Sequence, residues 1–363
     1  MIRLGLQSAA IALLGFVLAA CEPPKVTLHS PEAYPQRLSE WGLMALDGKQ
    51  LTISQQTLVY HLNTPLFSDY ALKLRTLYLP EGTQGSYHPE DTFALPVGSI
   101  ISKTFFYPKD ENGDLLITAD WSGDPGVIQT DDYRLIETRL LVRQPHGWDA
   151  LPYVWKGSDA YLNLTGSIHK LTLAGGAPLN YLVPSKNQCA SCHATNHTTK
   201  ALQPIGIKAR HVDRKSPVSN ANQLDLWAAR GWLDQRGDQH RPNAQWNDDG
   251  ASLAHRARSY LDINCGHCHN QVGAADTSGL LLDYKDHPME AMGQCKPPIA
   301  AGRGSGGLLY SIVPGEAEAS ILSFRLVTND PGMLMPELGR SMTHTEGVDL
   351  INRWIDGLTG RCL

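Results

Sequence analysis

After its first twenty residues the chain has no apolar run approaching the ~18 residues that cross a bilayer, so nothing in its body reads as a spanning helix. It also lacks a basic surplus. With 31 Lys and Arg against 36 Asp and Glu, the net charge is −5, which argues against nucleic-acid binding. The stretch AGRGSGG at 301–307 lacks the Lys-Ser/Thr that completes a phosphate loop and reads as a surface loop. KDENGDL at 109–115 offers Asp110, Asn112 and Asp114, but Leu115 stands where a calcium loop needs glycine and no glutamate closes the loop. A hairpin turn at Asn112-Gly113 is the expectation there. No methionine occurs between Met44 and Met289, which limits the metal ligands that the middle of the chain can offer.

Cysteine is scarce, at 7 of 363 residues, yet four of the seven fall in two copies of one pattern. NQCASCHATNH holds Cys189, Cys192 and His193, and NCGHCHN holds Cys265, Cys268 and His269. On a helical turn, Cys at i and i+3 and His at i+4 project to nearly the same side. Two thiols can then bond the two vinyl groups of a porphyrin while the imidazole reaches its iron, so the spacing reads as attachment of two covalently bound haem c groups. A zinc site is the blander reading, but its Cys pairs usually lie only ~15–20 residues apart. A thioredoxin-like dithiol leaves the His after each pair unexplained.

The N-terminus, MIRLGLQSAAIALLGFVLAAC, has one basic residue and then an apolar stretch rich in small residues, which reads as a secretory signal over 1–20. Leu18-Ala19-Ala20-Cys21 resembles the bacterial lipoprotein signal, in which the cysteine is lipidated; an ordinary cleavage site with Cys21 incidental is the alternative. Residues 21–35 follow as a Pro-rich tether. Cys295 and Cys362 remain, and an exported protein with two spare thiols usually oxidises them to a disulfide, two free buried thiols being the alternative.

A length of 363 residues suggests two or three domains. QRLSEWGLMAL at 36–46 suggests a short amphipathic helix. From about 57 to 174, SIISKTFFYP, YRLIETRLLVR and LPYVWKG are rich in β-branched and aromatic residues between turn signals, and predict an antiparallel β-sandwich. Helical patterning returns in NQLDLWAARGWL at 222–233 and in ASLAHRARSYLDIN, where Leu253, Ala257, Tyr260 and Leu261 form one stripe. THTEGVDLINRWIDGLTG adds a closing helix with Val348, Ile351, Ile355 and Leu358. The expected fold class is therefore α+β: a mainly antiparallel β-domain at 36–178, then a mostly helical di-haem region with a first haem segment at 179–248 and a second at 249–363.

Residues 250–363 resemble the small bacterial cytochrome c domain in their helix with Cys-x-x-Cys-His, Met335-Pro336 and closing helix with Trp354. That resemblance implies Met335 as the sixth ligand of the second iron, with Met333 as its substitute. Pro204 resembles the proline that braces the proximal side in such domains. Over nearly the whole mature chain, LSEWGL, HLNTPLFSDYALKLR, LPVGSIISKTF, IETRLLV, PSKNQCASCH, PIGIKARHVDR, RARSYLDINCGHCH and MPELGRS resemble a family of uncharacterised bacterial di-haem c-type cytochromes. That likeness implies an exported di-haem lipoprotein whose N-terminal domain has no assigned role, and it supplies no substrate.

The first iron has no methionine nearby, so histidine is its expected sixth ligand, giving a low-spin centre of lower potential than the second. His197 is too close to His193 to pass round a porphyrin; His240 ranks first and His211 second, with His169 or another β-domain histidine a further choice. The expected function is electron transfer by a periplasm-facing, lipid-anchored di-haem cytochrome between redox protein partners, bound to a membrane only through its lipid. A haem oxidoreductase or peroxidase with an open first iron is the alternative, and a binding module built on the β-domain is a third reading.

Overall fold

The computed structural model describes residues 25–118, 121, 123–299 and 301–363. Cys21 and the expected signal lie outside the described residues. The first half is built on antiparallel strands. A six-stranded sheet runs in the order β3 (Leu58–Val59), β4 (Leu72–Tyr78), β5 (Ile100–Pro108), β7 (Tyr133–Gln144), β8 (Gly147–Lys156) and β9 (Asp159–Leu162). A smaller sheet joins β1 (Met44–Asp47), β2 (Gln50–Ile53) and β6 (Val127–Gln129), and β10 (Ser167–Thr172) pairs with β11 (Pro178–Val183).

Successive side chains alternate between the faces of a strand, and both faces of the large sheet are covered. Leu72, Leu74 and Tyr78 of β4 join Phe106, Leu140 and Tyr153 on one face, packing against Trp41, Leu51 and Ile128 of the small-sheet layer. The opposite face buries two separate apolar patches. Leu77, Ile101 and Trp148 meet Ile207, Leu224 and Trp227, while Phe105, Tyr107 and Val154 meet Leu171, Leu179 and Tyr181 of the β10–β11 hairpin.

The helices are α1 (Lys186–His193), α2 (Ala209–Val212), α3 (Gln223–Ala229), α4 (Leu253–Asn264), α5 (Ile321–Val327) and α6 (Thr345–Asp356). This corrects the expected α+β class with a mostly helical second half: the protein is mostly β, and helices occupy only short pieces of residues 184–363. α4 and α6, at 12 residues each, are the longest among the described residues. They alone have stripes long enough to bury each other, Ala257, Tyr260 and Leu261 against Leu350, Ile351 and Trp354. Elsewhere turn-forming residues interrupt the pattern. The helix expected over 222–233 stops at Ala229, before Gly231 with φ +70°. That expected over 36–46 is one 3-10 turn, Leu38–Trp41, ended by Gly42, whose φ of +61° is left-handed. At 110–114, Asp110 Oδ1 accepts the N–H groups of Asn112 and Asp114 in a turn with Gly113 at φ +84°. No helix among the described residues is long and apolar enough to cross a membrane.

Polar joins between the halves include two built on buried carboxylates. The Asp69 carboxylate accepts the N–H groups of Ser341 (2.7 Å) and Met342 (2.8 Å). Arg210 forms a buried, two-pronged pair with Asp262 of α4 (2.7 and 3.1 Å), donates to the Glu90 carbonyl (2.5 Å) and lies 3.9 Å over the Tyr284 ring. Cys295 and Cys362, with Cα atoms 5.1 Å apart, are joined by a disulfide that ties the start of the 295–320 segment to the C-terminus.

Arg210→Ala strands a buried carboxylate, and loss of one partner from such a pair costs about 3–5 kcal/mol. The expected result is a lower urea midpoint at unchanged m-value; a midpoint equal to wild type would remove the pair from this role. Reduction of the disulfide should lower the melting temperature, by the equivalent of roughly 4 kcal/mol in the loop-entropy account.

Candidate functional site

The first motif sits on α1, and local chemistry starts that helix. Ser185 Oγ accepts the Gln188 N–H (3.2 Å) while Gln188 Oε1 accepts the Ser185 N–H (2.9 Å), a reciprocal cap that satisfies two otherwise orphaned donors. Cys189 is buried, and Cys192 and His193 are half-buried. His193 Nδ1 lies 2.8 Å from the Gln203 carbonyl. A carbonyl only accepts, so Nδ1 carries the proton and Nε2 keeps its lone pair free for a metal. Burial pushes the imidazole down to about 3, so it stays neutral.

His193 and Cys189 open onto a cleft between the large sheet and the segment that follows α1. Pro204 to Ile207 and Ile263 form one wall, and the large sheet forms the other. On that sheet Arg75, Lys103 and Arg139 stand directly opposite one another on β4, β5 and β7. Like charges in register across strands are destabilising. Arg139 is compensated by Glu137 at 2.6 Å, but Lys103 and Arg75 make no side-chain ion pair or hydrogen bond among the described residues. Burial, then Arg139 and Arg75, push Lys103 down to about 7. Sequence reasoning missed this row. Its signal was charge on one face of strands otherwise built of apolar, Ser and Thr residues: Lys73 and Arg75 in LKLR, Lys103 in ISK, and Glu137 and Arg139 in ETR.

The second motif begins where α4 ends, with Cys265 as the C-cap. The N–H groups of Cys268 (3.0 Å) and His269 (2.9 Å) both donate to the Cys265 carbonyl, so the motif is one tight turn. His269 Nδ1 is 3.2 Å from Ser278 Oγ, whose own hydrogen goes to the Ala275 carbonyl at 2.6 Å. Ser278 therefore accepts, and Nε2 is again the free nitrogen. Burial, then Arg325, push His269 down to about 4.

The loop carrying Met335 stands beside this motif. Arg340 donates to the Met335 carbonyl (2.9 Å) and Arg325 to that of Met333 (2.9 Å). Burial pushes the Cys268 thiol up to about 12, with Cys192 and Glu337 adding to it. The Cys268 thiol lies 3.5 Å from the Ser191 carbonyl, and the His197 N–H donates to the Val272 carbonyl at 2.7 Å. The two motifs abut.

The histidines expected to complete the first site are engaged elsewhere. His240 bonds the Tyr87 hydroxyl through Nδ1 (2.9 Å) and Asp213 through Nε2 (2.7 Å), leaving neither nitrogen for iron. His211 is buried between Asn243 (3.3 Å) and Asp262 (3.5 Å). Neither lines the first cleft, where His193 is the one histidine and no methionine occurs among the described lining residues. His169 hydrogen-bonds Ser167 on β10. No group of three or more His, Cys, Asp or Glu placed to hold a bare metal ion occurs among the described residues. Each motif offers one imidazole, a donor set suited to a metal that brings its own equatorial ligands.

No protein-family model, curated protein or solved structure matches the chain.

Burial also lowers His61 and His344 to about 4 and His211 to about 3. Between those values and the unfolded value of about 6.5 the unfolded chain binds protons that the folded one does not. Stability is therefore full above pH ~6.5 and falls as pH drops towards 4. Urea midpoints measured at pH 7, 6 and 5 should decline in that order; a flat series would mean that these rings are solvated.

Proposed function

We propose that the chain is an exported di-haem c-type cytochrome that passes electrons between redox protein partners, facing the periplasm and tethered through a lipid on Cys21. Bound haem supplies the one-electron chemistry. Cys189 and Cys192 at one site and Cys265 and Cys268 at the other are the thioether donors. His193 and His269 present Nε2 to iron, and the Gln203 carbonyl and Ser278 hydroxyl hold both rings in that tautomer. The first cleft suits such a group: apolar walls for the ring, and two cations lacking anions, Lys103 and Arg75, for its two carboxylate arms. Met335 is the proposed sixth ligand at the second site.

One observation carries electron transfer over the other readings, the 3.5 Å approach of Cys268 to Ser191. Two redox groups attached on either side of that contact sit within a short path of each other, with no partner needed to bridge them. The likeness to di-haem cytochrome lipoproteins points the same way. A second reading, a haem oxidoreductase or peroxidase working at the first site, is favoured by the lining of the first cleft, which among the described residues offers no histidine besides His193.

Mass spectrometry of protein matured in a host that attaches haem c should find two haems and an acylated Cys21. Cys189→Ala with Cys192→Ala should leave one. Zinc in place of porphyrin would end the reading. Met335→His should lower the potential of the second haem and abolish the ferric iron–sulfur absorption band; an unchanged spectrum moves the role to Met333 or removes it. Electron paramagnetic resonance separates the two readings: a low-spin first haem supports the carrier, and a high-spin one that binds cyanide supports the enzyme.

A further inference from the structure

One turn of the β-domain is strained. Asp69 and Tyr70, in the connection from β3 to β4, follow each other in left-handed backbone at φ +48° and +58°, and neither is glycine. Such residues persist only where their surroundings over-determine them. Here both halves of the molecule do so. The Tyr107 hydroxyl of β5 donates to the Asp69 carbonyl (2.7 Å). The Tyr70 hydroxyl accepts the Thr345 N–H at the start of α6 (3.0 Å) and donates to Glu346 (2.6 Å). Asp69, only 3% exposed, turns its carboxylate onto the loop between α5 and α6. Its Oδ1 accepts the N–H groups of Ser341 and Met342, and its Oδ2 accepts the Ser341 hydroxyl at 3.0 Å.

That loop is the one that carries Met335. Its other organiser is Arg340, next to Ser341 and 9% exposed. The guanidinium donates to the carbonyls of Met335 (2.9 Å), Met342 (3.3 Å), Arg325 (2.8 Å) and Thr328 (3.1 Å), and to Asn329 Oδ1 (3.3 Å). Arg340 thus closes the loop on itself and on the end of α5. The Asp69 carboxylate sets where the closed loop stands against the sheet, and Met342 packs on the cluster of Phe105 and Tyr107 there. Hydrogen bonds to an ionised acceptor are about twice as strong as neutral ones. A plain join between the halves calls for no strain; strain held at one point marks a position that function uses. We propose that Asp69 is a positioning residue for the second centre: it holds Ser341 and Met342, and Arg340 carries that position to Met335. This rests on the reading of Met335 as the second iron's sixth ligand. The β-domain then governs how firmly a ligand is presented in the other half.

The test uses the full chain matured with both haems. It reads the ferric iron–sulfur band, displacement of the second iron's sixth ligand by added imidazole, and amide exchange over 333–342. Asp69→Gly keeps the left-handed backbone and removes the acceptors. It should weaken the band, quicken exchange in the loop, and let imidazole take the second iron at roughly tenfold lower concentration, about what one hydrogen bond to a charged group is worth. Asp69→Asn, which keeps one oxygen, should fall between wild type and Asp69→Gly. Ser341→Ala, which loses only the hydroxyl bond, should shift the same readouts by less, and it stands in if Asp69→Gly fails to fold. Tyr153→Phe controls for lost stability. It removes the bonds to Trp41 (2.7 Å) and Pro35 (2.9 Å) in the core on the other face of the sheet, so it should lower the urea midpoint and leave the band unmoved. A folded Asp69→Gly with the band and imidazole affinity of wild type overturns the proposal, whether or not loop exchange quickens. Wild-type protein with no iron–sulfur band is a different failure: the reading of Met335 falls, and this inference falls with it.

Discussion

Arg210 and Asp262 make the join on which the rest of this architecture depends. Burial alone would raise the carboxyl of Asp262, but Arg210 and His211 beside it hold it well below the usual range. The pair offsets its desolvation because each guanidinium nitrogen donates, Nε and Nη2 to the two carboxylate oxygens and Nη1 to the Glu90 carbonyl, while Asn243 donates to Asp262 Oδ2 at 2.8 Å. Through these bonds one side chain touches the loop ahead of β5, the segment after the first motif and the helix that delivers the second. Geometry at both motifs rests on that fixed relation.

The large sheet provides the other half of the frame. Its one face is an ordinary core, closed by the small sheet and by Trp41, whose indole N–H donates to Tyr153 at 2.7 Å. Its other face is split, apolar at both ends and cationic between. A sequence selected for stability alone would not put Arg75, Lys103 and Arg139 in register in a buried strip. All three residues line the first cleft.

Contact between the motifs is a long-range product of this packing. α1 is held against β8 by the sheet, α4 is held by α6 and by Asp262, and their ends meet at Ser191 and Cys268. The backbone bond from His197 to Val272 then pins the two following loops together. Nothing in either motif's own spacing encodes that meeting.

What the sequence by itself determined are features that close within a few residues. The two Cys-x-x-Cys-His turns, the Ser185–Gln188 cap, the turn at Asn112-Gly113 and the apolar stripes of α4 and α6 each follow from neighbours along the chain. The mostly helical second half was a misreading, because short stripes such as 222–233 carry helical periodicity without the length or the facing partner that would extend a helix past Gly231. The tertiary structure decided the partners of buried polar groups. His240 turned to Tyr87 and Asp213, His211 to Asn243 and Asp262, and the first cleft received cations from three strands instead of a second imidazole. A side chain's hydrogen-bonding choice depends on which groups the fold desolvates beside it, and for these residues those groups come from segments far away in the chain.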